Sequence, residues 1–179
     1  MRININYILD AKAAEECFKI NQKFCKQFSD SEIDFSKGCR PHMTLLMGEI
    51  DEKNLDFVAE MVKNMQFSSV GKIFKLTKPY AKGEYIFVDA VDLAPFINDC
   101  SMLLQRLDGA LVPHRFLISN GTTKPHISLC YSKTADLKLF AESITELNTA
   151  KLVGVVVSKT GEHGTCLLNG EEENKCEKK

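Results

Sequence analysis

The chain has 179 residues, 44% of them apolar, with 23 basic and 24 acidic side chains and a formal net charge of -1. Such a length and apolar content suit one compact domain with a real core, and the near-neutral balance excludes a protein that coats nucleic acid by bulk charge, because counterion-release binding needs a basic excess. No run approaches the roughly 18 apolar residues of a membrane span, the opening MRININYILD carries no long apolar stretch, and seven scattered cysteines without a Cys-x-x-Cys pair match neither a zinc site nor a secreted disulfide framework, so a reduced, soluble, cytoplasmic protein is expected.

The stretch RININYIL alternates Ile3, Ile5 and Tyr7 with more polar neighbours, the period of a strand. Residues 11 to 28 then place Ala14, Cys17, Phe18, Cys25 and Phe28 at helical spacing behind Asp10, a suitable N-cap. MTLLMGEI reads as the next strand, and Leu55, Val58, Ala59 and Val62 mark a helix over about 52–65. From residue 84 the order repeats. EYIFVDAV (84–91) is a strand, 93–107 a helix whose Pro95 suits its first turn, PHISLCY (125–131) a strand and 135–147 an amphipathic helix. VGKIFKLTK from Val70 also matches VGVVVSKTG from Val153. Self-similarity at a fixed offset predicts an internal duplication. The expected fold is α+β: a single bilobal domain over 1–169, its second half starting at about 84, with two pseudo-symmetric lobes of mostly antiparallel sheet, helices outside and a central cleft. The last ten residues, GEEENKCEKK (170–179), are charged and are expected to form a disordered tail.

Within the repeat, RPHMTLLMG from Arg40 echoes KPHISLCYS from Lys124, which sets His42 and His126 apart by 84 positions (126 minus 42). Two basic-Pro-His-x-hydroxyl phrases, in a chain with four histidines and five prolines, exceed what chance supplies. Side chains two apart on a strand share a face, so His42 stands beside Thr44 and His126 beside Ser128. Two such units facing each other across a cleft can perform metal-free phosphodiester chemistry. One neutral imidazole takes a proton from the attacking oxygen, the other, protonated, gives one to the leaving oxygen, and the hydroxyls donate hydrogen bonds to the non-bridging oxygens. The plainer alternative is a pair of strand-end core histidines that the duplication preserved.

At these residues the chain resembles the 2H phosphoesterase superfamily, which includes 2'-5' RNA ligase-like proteins and cyclic phosphodiesterases. Its pattern is two His-x-[Thr/Ser]-x motifs with an apolar fourth position, standing here as His42-Met43-Thr44-Leu45 and His126-Ile127-Ser128-Leu129. Ser128 replaces the threonine of many members and keeps the hydroxyl. The resemblance spans about residues 3 to 168. It implies a monomeric phosphodiesterase, free of metal and cofactor, that cleaves 2',3'-cyclic phosphates, 2'-5' linkages or related cyclic oligonucleotide phosphodiesters in a nucleotide or RNA-end substrate. Two other readings use the same residues: a module that binds a nucleotide or RNA end without turnover, and 2'-5' RNA end-joining by the reverse chemistry.

Substrate contacts are expected from Arg40 and Lys124, each two residues before its histidine, and from Tyr80 and Lys82. These last belong to a basic and aromatic stretch with Lys72, Lys75, Lys78 and Tyr85 that is able to grip a backbone and stack a base, although exposed lysines are often simply solvated. His114 precedes a long loop and offers a substrate contact, although an ordinary loop histidine is the commoner case, and His163, in GEHGTC, reads as a hairpin-turn residue. Strand alternation puts Cys130 on the His126 face and Tyr131 opposite it, in the core. Asp89 and Asp92 lack partner histidines, so no metal site is expected.

Overall fold

The computed structural model describes residues 1–167. In chain order the elements are β1 (Arg2–Leu9), α1 (Ala11–Gln27), β2 (Cys39–Arg40), β3 (His42–Glu49), α2 (Leu55–Lys63), β4 (Ile73–Lys75), β5 (Tyr80–Lys82), β6 (Tyr85–Asp89), α3 (Ala94–Arg106), β7 (Val112–Pro113), β8 (His126–Tyr131), α4 (Leu137–Glu142), β9 (Thr149–Thr160) and β10 (Cys166–Leu167). The charged tail expected over 170–179 lies outside the described residues. Every element read from the sequence is present with shifted ends, each for a local reason. The helix expected from 135 to 147 stops at Glu142, because the Ser143 hydroxyl turns back to the Phe140 carbonyl at 2.7 Å and Leu147 takes a φ of 62°. The strand expected from Val70 is shortened to β4, and β5 begins only after Pro79, which has no N–H to give a ladder.

The strands form a curled antiparallel sheet in the order β2-β10-β9-β1-β3-β7, with β4 paired to β9, and a smaller sheet in the order β5-β6-β8. β1 lies between β3 and β9, while β6 lies between β8 and β5. The strand that follows each half's second helix therefore crosses to the other half's sheet. β4 and β9, the strands that carry VGKIFKLTK and VGVVVSKTG, pair through Phe74 and Ala150 before parting. The first helices exchange too. The buried Asn21 of α1 donates to the Leu129 carbonyl in β8 at 2.9 Å, and α3 meets β1, with the Phe96 ring 5.4 Å from Tyr7. Chain order does not fix which face a helix covers, so a linear repeat carries no signal for this exchange.

The core runs under both sheets. Ile3, Ile5 and Tyr7 of β1 are fully buried, Tyr7 against Phe96 of α3, and Phe24 of α1 meets Phe140 of α4 edge to face at 4.9 Å over the smaller sheet. Among the described residues no helix is long and apolar enough to cross a membrane. Gly48, where β3 meets β7, leaves no room for a side chain: a Cβ there would stand 2.7 Å from both the Leu111 side chain and the Val112 carbonyl. Gly48→Ala is expected to cost about 1–3 kcal/mol by overpacking, read as a lower urea midpoint at unchanged slope.

Candidate active site

β3 and β8 carry the same irregularity at the same place. In the first ladder Asn6 faces Thr44 and Ile5 faces Leu46, so Leu45 is an extra residue; in the second Phe87 faces Ser128 and Ile86 faces Cys130, so Leu129 is extra. Each apolar fourth position of the two motifs is thus a β-bulge, with Leu45 and Leu129 both buried. Upstream of the bulge His42 and Thr44, like His126 and Ser128, remain half-buried on one face. Downstream the alternation is inverted. Tyr131 pairs with Tyr85 on the His126 face and is buried there, as expected of a core residue, while Cys130 turns to the opposite face, so the faces of the two are the reverse of what strict alternation predicts.

His42, Thr44, His126 and Ser128 line one cleft with Lys124 and His163, of about 170 Å³. That is below the roughly 300–1,000 Å³ of pockets that enclose a whole small molecule. The two imidazoles are held alike. Nδ1 of His42 lies 2.8 Å from the Arg40 carbonyl, and Nδ1 of His126 lies 2.8 Å from the Lys124 carbonyl. A carbonyl only accepts, so each Nδ1 carries a proton and each Nε2 is left for chemistry. Burial pushes the His42 ring below the ordinary imidazole range and the charge of His126 acts the same way, while the carbonyls of Arg40 and Gly164 favour its charged form. The Phe87 ring packs against His126, 4.7 Å between centroids.

A second depression adjoins His126 and contains Tyr80, Lys82, Phe87 and Lys124. Tyr80 and Lys82 face Phe87 and Tyr85 across the β5–β6 hairpin, with Tyr85 and Phe87 stacked at 5.3 Å. Lys124, Tyr80 and Lys82 therefore line a depression that adjoins the cleft at His126. Arg40 sits on β2, and the part it plays at the cleft is its carbonyl, held by His42; its side chain is not in the cleft lining. Lys75 pairs with Thr149 in the β4–β9 ladder, away from this groove. Asp89 is buried and accepts the Tyr80 hydroxyl at 2.9 Å, an arrangement that with burial pushes the Tyr80 phenol up to about 12, and Asp92 caps the backbone N–H of Ala94. Glu32, Glu162 and His163 are the group of possible ligand residues found among the described residues, and both ring nitrogens of His163 are already engaged, by Tyr85 and Glu32.

No protein-family model matches the chain, and no curated protein matches it. A solved structure does. The chain superimposes on the crystal structure of the MHV ns2 PDE domain with a TM-score of 0.54, over 89% of this chain and 99% of that one, at 13% identity. The two share a fold.

The sequence does not commit His114 or His163 to the site, yet both line the cleft. His163 does occupy a hairpin turn, between β9 and β10, as expected, and in addition meets Tyr85 and Tyr131 of the smaller sheet. The signal available for it is the pair of aromatics beside the second motif, but seeing their face requires knowing that Leu129 is bulged.

Proposed function

We propose that the chain is a 2H-type phosphodiesterase in which His42 is the general base and His126 the general acid, acting on 2'-5' linkages, 2',3'-cyclic phosphates or related oligonucleotide phosphodiesters. What supports this most is one observation: two His-x-[Thr/Ser] segments, each closed by an equivalent bulge, line one cleft with their Nδ1 atoms tied to the carbonyl two residues back. The likeness of fold to a PDE domain agrees with it. The bulges at equivalent positions also support an internal duplication and a single bilobal domain. Nε2 of His42 takes a proton from the attacking water or hydroxyl, the oxygen attacks phosphorus, and Nε2–H of His126 protonates the leaving oxygen. Thr44 and Ser128 donate to the non-bridging oxygens as charge builds on them, and Lys124 offsets that charge. Acid and base are both side chains, so the reading calls for no metal, and turnover is expected to persist in EDTA; loss of activity on chelation, restored by a divalent ion, contradicts it.

The direction of the His42 shift fixes a pH signature. A base works only when deprotonated, and a pKa below the ordinary imidazole value leaves His42 neutral at pH 7. The acidic limb of the rate profile is expected to have its midpoint below about 6.5. A profile that climbs steadily past pH 8 would remove His42 from the role of base.

A further inference from the structure

The connection between β9 and β10 closes with the Thr165 N–H donating to the Glu162 carbonyl at 3.1 Å, and both residues between them have positive φ, His163 at 55° and Gly164 at 72°. Hairpin turns of this form take Asn-Gly or Asp-Gly most readily, and a histidine at the first position carries backbone strain that its surroundings must hold. They do. Nε2 of His163 meets the Glu32 carboxylate, which only accepts, so Nε2 bears the proton and Nδ1 accepts from the Tyr85 hydroxyl at 2.9 Å. The ring also lies 4.0 Å from that of Tyr131, whose own hydroxyl donates to Glu84 at 2.7 Å. The turn belongs to the larger sheet, whereas Tyr85 and Tyr131 belong to the smaller one, so this single side chain fastens one sheet to the other at the lip of the cleft. The next residue, Gly164, accepts from the Asn4 amide at 2.9 Å and lines the cleft with His42.

We propose that His163 is a positioning residue: it clamps the β9–β10 turn to β6 and β8 and so holds Gly164, which lines the cleft with His42, in place beside the base. The inference rests on the reading of His42 as the base. The titratable and charged groups that share the cleft with His42 are His126, Lys124, His114 and His163 itself. Around His163 stand Tyr85, Tyr131 and Glu32, with Glu162 beside it and Lys133 paired to Glu32 at 3.6 Å. Glu32 is absent from the cleft lining, so exchanging it loosens the clamp without touching a substrate.

The experiment compares wild type, His163→Gly, Glu32→Gln and His42→Ala by steady-state kinetics on 2'-5' oligoadenylate across pH, together with an NMR titration of the His42 ring. Glycine suits the positive φ, so His163→Gly removes the clamp while relieving the strain, and a simple folding defect is avoided. His163→Gly is expected to lower kcat about tenfold with KM within about twofold, and Glu32→Gln about threefold in kcat. In both, His42 titrates at lower pH than in wild type and the acidic limb of the rate profile moves with it, because a carbonyl that favours the charged ring has been withdrawn. An unchanged His42 titration overturns the proposal, as does a rise in KM alone, which would make His163 a substrate contact. If His42→Ala turns over as fast as wild type, the base assignment itself falls. If His42→Ala is inactive while His163→Gly behaves as wild type, only the positioning role falls. The NMR titration follows the His42 ring directly, so it tests the clamp even where no substrate is turned over.

Discussion

Replacing His42 or His126 with alanine is expected to lower turnover by about 10²- to 10⁴-fold each, the usual contribution of a positioned acid or base. In the proposed scheme the two imidazoles act in one proton-coupled event, so the double variant is expected to lose less than the product of the single losses. Thr44→Ala and Ser128→Ala remove one hydrogen bond to a phosphate oxygen while leaving both proton transfers in place, so a loss of about 10-fold is expected from each. The four single variants, assayed on 2',3'-cyclic mononucleotides and on 2'-5' and 3'-5' oligoadenylates, rank the residues by role. Histidine variants that turn over as fast as wild type would show that the site has been misplaced.

Asp99→Ala is expected to be the most destabilising single change in the fold. The Asp99 carboxylate is 2% exposed and accepts from the Tyr7 hydroxyl at 2.8 Å, the Ser68 N–H at 2.8 Å, the Ser68 hydroxyl at 2.9 Å and the Ser69 N–H at 3.0 Å. Burying a carboxylate is tolerable because these four donors replace its water, and removing it takes away the acceptor they share. Alanine leaves the Tyr7 hydroxyl and the Ser69 N–H buried and unpaired, at a cost of about 1–3 kcal/mol each, a large part of the 5–15 kcal/mol by which domains of this kind are stable. Tyr7→Phe removes one donor and leaves three, so about 1 kcal/mol is expected. Urea unfolding of both variants measures the difference; equal losses would mean that the carboxylate is not the hub that joins α3 to β1. Function is linked through β1, which lies directly between β3, the bearer of His42, and β9.

How much of this is legible in the sequence depends on whether a feature is local. His42, Thr44, His126 and Ser128 announce themselves because a motif repeated at one offset is a local pattern, and the strand and helix periods around them are local as well. The exchange of β5 and β9 between halves is not legible, since antiparallel pairing of distant segments leaves no periodic trace in either. The bulges are invisible for a sharper reason: Leu45 and Leu129 look like ordinary apolar strand residues, and only the register against β1 and β6 shows that each is an insertion. One inserted residue inverts every side chain beyond it, which is why alternation sends Tyr131 to the wrong face and hides its contact with His163. Arg40 and Lys124 occupy equivalent positions in the sequence, yet Lys124 lines the cleft while Arg40 meets it through its carbonyl, a distinction made by where β2 pairs with β10.

The central claim is that the cleft turns substrate over with side chains alone. The most direct measurement incubates wild type and the His42→Ala/His126→Ala double variant with 2'-5' oligoadenylate and 2',3'-cyclic nucleotides in EDTA, and separates the products by chromatography. The account predicts cleavage of at least one of these by wild type, with the double variant reduced to background. Tight binding of any of them by wild type with no product formed would contradict it and leave a binding module in its place.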